Sequence, residues 1–213
     1  MMEADFWVNK WQTGEIAFHE GNPNRFLAGY FDTLALPAPA RVFVPLCGKT
    51  RDIAWLLARR YRVAGVELVG TAVDRLFAEL GMQPTISNHG ALTRYSAKDI
   101  DIYVGDIFEL SAELLGPVDA VYDRAALVAL PKDTRARYTG HLSMITNKAP
   151  QLLISYEYDQ TRMDGPPFSV SSTEVAQHYG AGYEIKLLTS ADVPSGLKGR
   201  CPSTESVWYL RNS

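Results

Sequence analysis

Cysteine is nearly absent from this chain: only two of its 213 residues, Cys47 and Cys201, carry a thiol. Two cysteines cannot build the disulfide framework of a small secreted scaffold, nor a four-thiolate zinc cluster. The four histidines (19, 89, 141 and 178) show no HxxxH or HExxH spacing, and none has a cysteine near it in the sequence, so no metal centre is expected. Long apolar runs are also missing; no stretch approaches the ~18 residues needed to span a bilayer. The first residues, MMEADFWVNKW, place acidic groups before any apolar stretch, unlike a secretory leader. Positive charge is not in excess: 21 Lys and Arg face 24 Asp and Glu, a formal net charge of -3. That removes the global field by which proteins grip nucleic acid or anionic lipid. Neither nucleic acid nor membrane is expected as a partner, and a cytoplasmic, monomeric, single-domain protein over residues 1–213 is the economical expectation.

What is present is an ordinary apolar fraction, 46%, arranged in alternating strand and helix patterns. Arg41–Val44 is short, β-branched and aromatic, and a proline and a glycine follow it at once, as for a buried strand ending in a loop. Thr50–Arg60 spaces its apolar residues as an amphipathic helix, and Tyr61–Val66 forms a second strand with Glu67 at its tip. A helix over Thr71–Leu80 stops at Gly81. Residues 84–99 are polar and turn-rich and read as a long surface connection. Strands follow at Ile100–Val104, Val118–Tyr122 and Leu152–Tyr156, with a helix over 131–146 and another over Ser172–Tyr179. Tyr183–Leu188 and Val207–Leu210 have no helix between them and are expected to pair antiparallel. Seven strands alternating with helices predict an α/β fold, a mostly parallel sheet with helices on both faces and one antiparallel C-terminal strand.

Open α/β sheets bind ligands at the carboxyl ends of their strands. Those ends carry the loop Val44-Pro-Leu46-Cys-Gly48, then Glu67, Gly105-Asp106 and Asp123-Arg124. Glu67 follows Gly48 by 67 − 48 = 19 residues. A carboxylate about 20 residues past a glycine loop can accept both hydrogens of a ribose diol. Gly48-Lys49-Thr50 resembles the end of a phosphate-cradling loop, but the position five residues earlier is Phe43, inside a strand, and Pro45 removes an amide donor. The dinucleotide fingerprint fails as well, since only Gly48 is present. A nucleoside without phosphates fits this loop better, and S-adenosylmethionine is such a ligand. Leu46 and Cys47 would then border its methionine portion, and Asp106-Ile107 its adenine. Phe6, Trp7, Trp11 and Phe18 recur at helical spacing; they form either a packed helix or a lid over residues 1–30 facing a flat, cationic ligand.

Several segments together are similar to the thiopurine S-methyltransferase family in its short bacterial form. They are FW-x-x-x-W-x-x-G-x-x-x-FH from Phe6, VFVPLCGKTRDIAWL from Val42, VAGVEL from Val63, GDIFEL from Gly105, VDAVYDRAALVALP from Val118, and EYDQ followed by GPPFSV from Glu157. The resemblance implies the seven-stranded Rossmann-like class I methyltransferase sheet and S-adenosylmethionine as cofactor, with S-adenosylhomocysteine as product. It implies cofactor contacts at Trp11, Leu46, Glu67 and Arg124, with the adenine edge at Asp106 and Ile107. Phe18 would lie beside the acceptor, Arg124 would touch both ligands, and Pro167 and Phe168 would wall the acceptor side. The implied activity is methyl transfer to the sulfur of small heteroaromatic thiols such as thiopurines. Because the sulfonium carries its own activation and such thiols are acidic, no obligatory catalytic base is expected, and Arg124 would act electrostatically. Methylation of selenium or tellurium species, or a silent nucleoside-binding role on the same fold, are the alternatives.

Overall fold

The computed structural model describes residues 4–14 and 21–213. Among these residues, one mixed sheet of nine strands runs in the order β3-β4-β5-β2-β1-β6-β7-β9-β8. Its parallel centre comprises β1 (Arg41–Pro45), β2 (Arg62–Glu67), β5 (Ile100–Val104), β6 (Ala120–Arg124) and β7 (Gln151–Tyr158). β9 (Ser203–Asn212) pairs antiparallel with β7 on one side and with β8 (Tyr183–Asp192) on the other. The antiparallel C-terminal strand is therefore present, and both last strands are longer than their apolar cores suggest.

The expected surface connection over residues 84–99 is instead a hairpin, β3 (Thr85–His89) and β4 (Leu92–Ala97), added antiparallel to β5. It raises the strand count from seven to nine. Every residue of β3 is exposed, so no apolar alternation marks it. β4 is held instead by polar pairing: Arg94 and Ser96 both reach Asp101 across the ladder, at 2.7 Å each.

Alternation along the central strands sends side chains to two cores. On one face Phe43, Val66 and Leu153 meet α6 (Lys132–Ile145) through Tyr138 and Leu142, and α7 (Ser172–Tyr179) through Val175 and Tyr179. On the other, Val42, Val44 and Ile154 meet α2 (Arg25–Tyr30), α3 (Arg51–Ala58) and α4 (Gly70–Leu80). Ile53 and Leu56 of α3 are fully buried there, each contributing about 1.5–3 kcal/mol. Short polar caps start α2, α3 and α7. Asn24 accepts from the Phe26 and Leu27 amides, and Ser171 with Glu174 places a capping-box sequence at the start of α7. Buried Asp52 accepts the Asn24 N–H at 2.7 Å and the Tyr122 hydroxyl at 3.0 Å, tying the segment before α2 to the sheet. No helix among the described residues is long and apolar enough to cross a membrane.

Candidate active site

The strand order reverses beside β1, with β2 on one side and β6 on the other, which opens a crevice at the strands' carboxyl ends. A cleft of about 1050 Å³ occupies it. Leu46, Gly48, Glu67, Asp106, Ile107, Arg124 and Pro167 all line this cleft, and so does Trp11 from α1 (Ala4–Thr13). These eight residues singled out from the sequence are thus brought together, and Phe6, Trp7 and Cys47 join them in the lining. Phe18 lies outside the described residues. Phe168 does not line the cleft: its ring packs on Gly165 and its N–H donates to the Val128 carbonyl at 2.6 Å.

Glu67 is the most constrained group. It ends β2, is 7% exposed, and its two oxygens accept different backbone amides, Gly48 N–H at 2.8 Å and Val69 N–H at 2.9 Å. Burial pushes its pKa above the ordinary carboxylate value, while those amide bonds pull it back. The carboxylate is fixed at the cleft wall with lone pairs left over for a ligand, since each oxygen can accept twice. Gly48 must be small: it sits at φ +52°, and a Cβ there would lie 3.1 Å from Cζ2 of Trp11. Trp11, 2% exposed, lies against that loop and packs with Val69 and Ala72. Leu46 also has positive φ, 46°, a turn forced between β1 and the Cys47 amide, which bonds the Val66 carbonyl at 3.0 Å.

The β5 tip forms the next wall. The Gly105 N–H donates to the Glu67 carbonyl at 2.9 Å, and at φ +140° a Cβ would strike Leu92 at 2.5 Å. Asp106 is exposed and caps a short 3-10 turn, Ile107–Glu109, by accepting the Phe108 N–H at 3.0 Å. Ile107 is buried, and its carbonyl bonds His141 at 2.9 Å. Arg137 stacks over the Phe108 ring, 3.7 Å from its centroid. Below Arg124, Asp123 is fully buried and accepts the Leu127 N–H at 3.1 Å and the Tyr138 hydroxyl at 2.7 Å. Burial raises Asp123 to about 6 despite those bonds. It braces the turn after Arg124 rather than facing the cleft.

Two groups that resemble reactive machinery are disarmed. Cys47 is buried, and burial together with the Glu67 charge pushes its thiol well above the ordinary range, leaving it protonated and poorly nucleophilic. Lys49 pairs with Glu79 of α4 at 2.5 Å, away from any phosphate role. No group of three or more His, Cys, Asp or Glu among the described residues could hold a metal ion. Cleft residues not singled out from the sequence include Lys10, Phe108, Arg137 and Tyr156. Tyr156 sits near the end of β7, a position the strand-tip rule could have supplied. Lys10 falls three and four residues after Trp7 and Phe6 on α1, so helical spacing marked it too.

A family model for thiopurine S-methyltransferase matches residues 2–208. The chain belongs to the thiopurine S-methyltransferase family. A family member from Xanthobacter autotrophicus is 57% identical over 213 residues, covering 100% of both chains. Another, from Gluconobacter oxydans, is 47% identical over 96% of this chain and 93% of its own. Among solved structures, the fold is similar to that of a 1,6-didemethyltoxoflavin-N1-methyltransferase from Burkholderia thailandensis, with a TM-score of 0.65 at 18% identity, covering 98% of this chain and 87% of that one. A TehB-like methyltransferase from Corynebacterium glutamicum gives 0.60 at 13% identity, covering 99% and 98%. Family and fold together make the chain an S-adenosylmethionine-dependent methyltransferase.

Proposed function

We propose that this chain moves a methyl group from S-adenosylmethionine to the sulfur of small thiols, heteroaromatic thiols such as thiopurines among them. The supporting observation is the fixed Glu67 carboxylate, set by two amides at the β2 tip beside a glycine loop without a phosphate cradle. The residues present fit the cofactor. Glu67 would take the ribose hydroxyls, the Leu46–Gly48 turn and Trp11 would flank the methionine portion, and Ile107 with Asp106 would border the adenine. When bound, the cofactor supplies a methyl already activated on a sulfonium: the acceptor's S–C bond forms as the donor's C–S bond breaks, and the electron pair leaves on a neutral thioether.

The protein's part is then alignment and exclusion of water. Trp7 and Trp11 of α1 present aromatic faces suited to a cation. Arg124, at the end of β6, faces the cleft and favours the acceptor as an anion, so an acidic heteroaromatic thiol arrives as thiolate without a protein base. The two strand-tip carboxylates fit that absence of a base, since Glu67 and Asp106 are engaged by backbone amides. Comparing kcat/KM for a thiopurine, an aryl thiol, selenite and tellurite tests the reading. The thiols are expected to lead; a preference for selenite or tellurite would move the acceptor class to metalloid species.

A further inference from the structure

The cofactor is assigned to the tips of β1, β2 and β5, which on the methyl-transfer reading leaves the β6–β7 side of the sheet for the acceptor. There Gly165, Pro166, Pro167 and Leu197 line the cleft. β7 sends Tyr156 into the same cleft, and Tyr158, two residues on, projects from the same face of the strand. Tyr158 stands behind the lining: it is buried, in one cluster with Leu197 and Cys201. Its hydroxyl donates to the Pro167 carbonyl at 2.7 Å and accepts from the Gln160 side-chain amide at 3.0 Å, so its single hydrogen is committed to the cleft wall. Gln160 in turn accepts the Ser169 N–H at 2.8 Å, and the Ser169 hydroxyl oxygen accepts the Tyr158 N–H at 2.9 Å. The next amide, that of Val170, donates to the Tyr156 carbonyl at 2.7 Å. The chain from Pro167 to Val170 is thus stitched to the end of β7, and Tyr158 backs two lining residues, Pro167 and Leu197, that belong to separate loops.

We infer that Tyr158 is a positioning residue for the acceptor: with Gln160 it fixes the wall at Pro167 and Leu197 against which the acceptor rests. The inference rests on the methyl-transfer reading. Where that wall stands sets how well the acceptor binds, while Glu67 and the Leu46–Gly48 turn, on other strands, hold the cofactor independently of it. Tyr158→Phe keeps the ring and removes the hydroxyl, releasing the Pro167 carbonyl and the Gln160 amide together. The test measures kcat and KM for 6-mercaptopurine and thiophenol, the S-adenosylmethionine Kd by calorimetric titration, and Tm. The acceptor KM is expected to rise about threefold to tenfold, the worth of one net hydrogen bond, with kcat and the cofactor Kd little changed. A purely structural loss would instead lower Tm and the active fraction, and so kcat, at constant KM. Gln160→Leu, at an exposed position, breaks the same relay without opening the core and is expected to raise the same KM by a smaller factor; it decides the question if Tyr158→Phe does not fold. An unchanged acceptor KM, or a rise matched by an equal loss of cofactor affinity, overturns the positioning role alone. Wild type that moves no methyl to either thiol overturns the methyl-transfer reading and this inference with it.

Discussion

Replacing Glu67 with glutamine keeps the side chain's size and changes only what its terminal atoms can do. The carboxylate accepts the Gly48 and Val69 amides on separate oxygens, at 2.8 and 2.9 Å. Glutamine offers one oxygen and one amino group, so one of those buried amides must face another donor. Losing a hydrogen bond to a charged acceptor costs about 1.5–3 kcal/mol, which for a chain of this size lowers Tm by roughly 3–12 °C. The true drop lies towards the lower end, because burial already disfavours the charge that glutamine removes. A second loss of similar size falls on the ribose, where one hydroxyl no longer finds an acceptor. S-adenosylmethionine affinity is therefore expected to fall about tenfold to a hundredfold.

The same carboxylate gives wild-type binding a pH signature. Its pKa is raised in the folded protein, so the proton returns at a higher pH than for an exposed glutamate. Cofactor affinity is expected to be flat at neutral pH and to fall as pH drops through that raised value; the glutamine variant loses this dependence. Calorimetric titration across pH, with S-adenosylhomocysteine as competitor, reads both effects. Unchanged affinity in Glu67→Gln, with the fold intact, refutes the ribose assignment.

Three further outcomes follow from contacts elsewhere in the molecule. Gly48→Ala places a Cβ 3.1 Å from the Trp11 ring at φ +52°, and is expected to cost about 1 kcal/mol or more and to weaken cofactor binding; equal Tm and affinity in a melt and a titration would contradict the packing. Asp123, raised from 3.8 to about 6 by burial, costs stability once ionised, so its penalty is full above about pH 6 and absent below its unfolded value. Roughly 2 pH units at about 1.4 kcal/mol each make about 3 kcal/mol, by which wild type gains on Asp123→Asn in denaturant titrations between about pH 7 and pH 4; a pH-independent gap would refute it. Buried Arg135 and part-buried Glu174 form a bidentate pair at 2.6 and 3.1 Å, and Arg135→Met leaves Glu174 with His178 alone of the two. That change is expected to cost about 3–5 kcal/mol by chemical denaturation, and a cost under about 1 kcal/mol would contradict it.

The parallel centre of the sheet was legible because buried strands such as Val42–Val44 and Val63–Val66 are continuous apolar runs closed by Pro45 and Glu67. Glu67 itself was legible from spacing, since a glycine loop and the next strand's tip are a fixed number of residues apart in this architecture. The β3–β4 hairpin was not, because β3 is exposed throughout and β4 is secured by Arg94 and Ser96 on Asp101, pairings that leave no hydrophobic period. Phe168 was misplaced for a related reason: a Gly-Pro-Pro-Phe string shows a tight turn but not which side of it the ring takes, and Gly165 provides the space that draws it back.

A methyl balance measures the proposed transfer most directly. Incubating the protein with S-adenosylmethionine labelled in its methyl group and a thiopurine, then resolving the products by mass spectrometry and NMR, follows the one bond that matters. The label is expected on the thiopurine sulfur, with one S-adenosylhomocysteine formed for each methyl moved and loss of turnover at low cofactor in Glu67→Gln. Label on a ring nitrogen, or cofactor that binds without transferring its methyl, would contradict it.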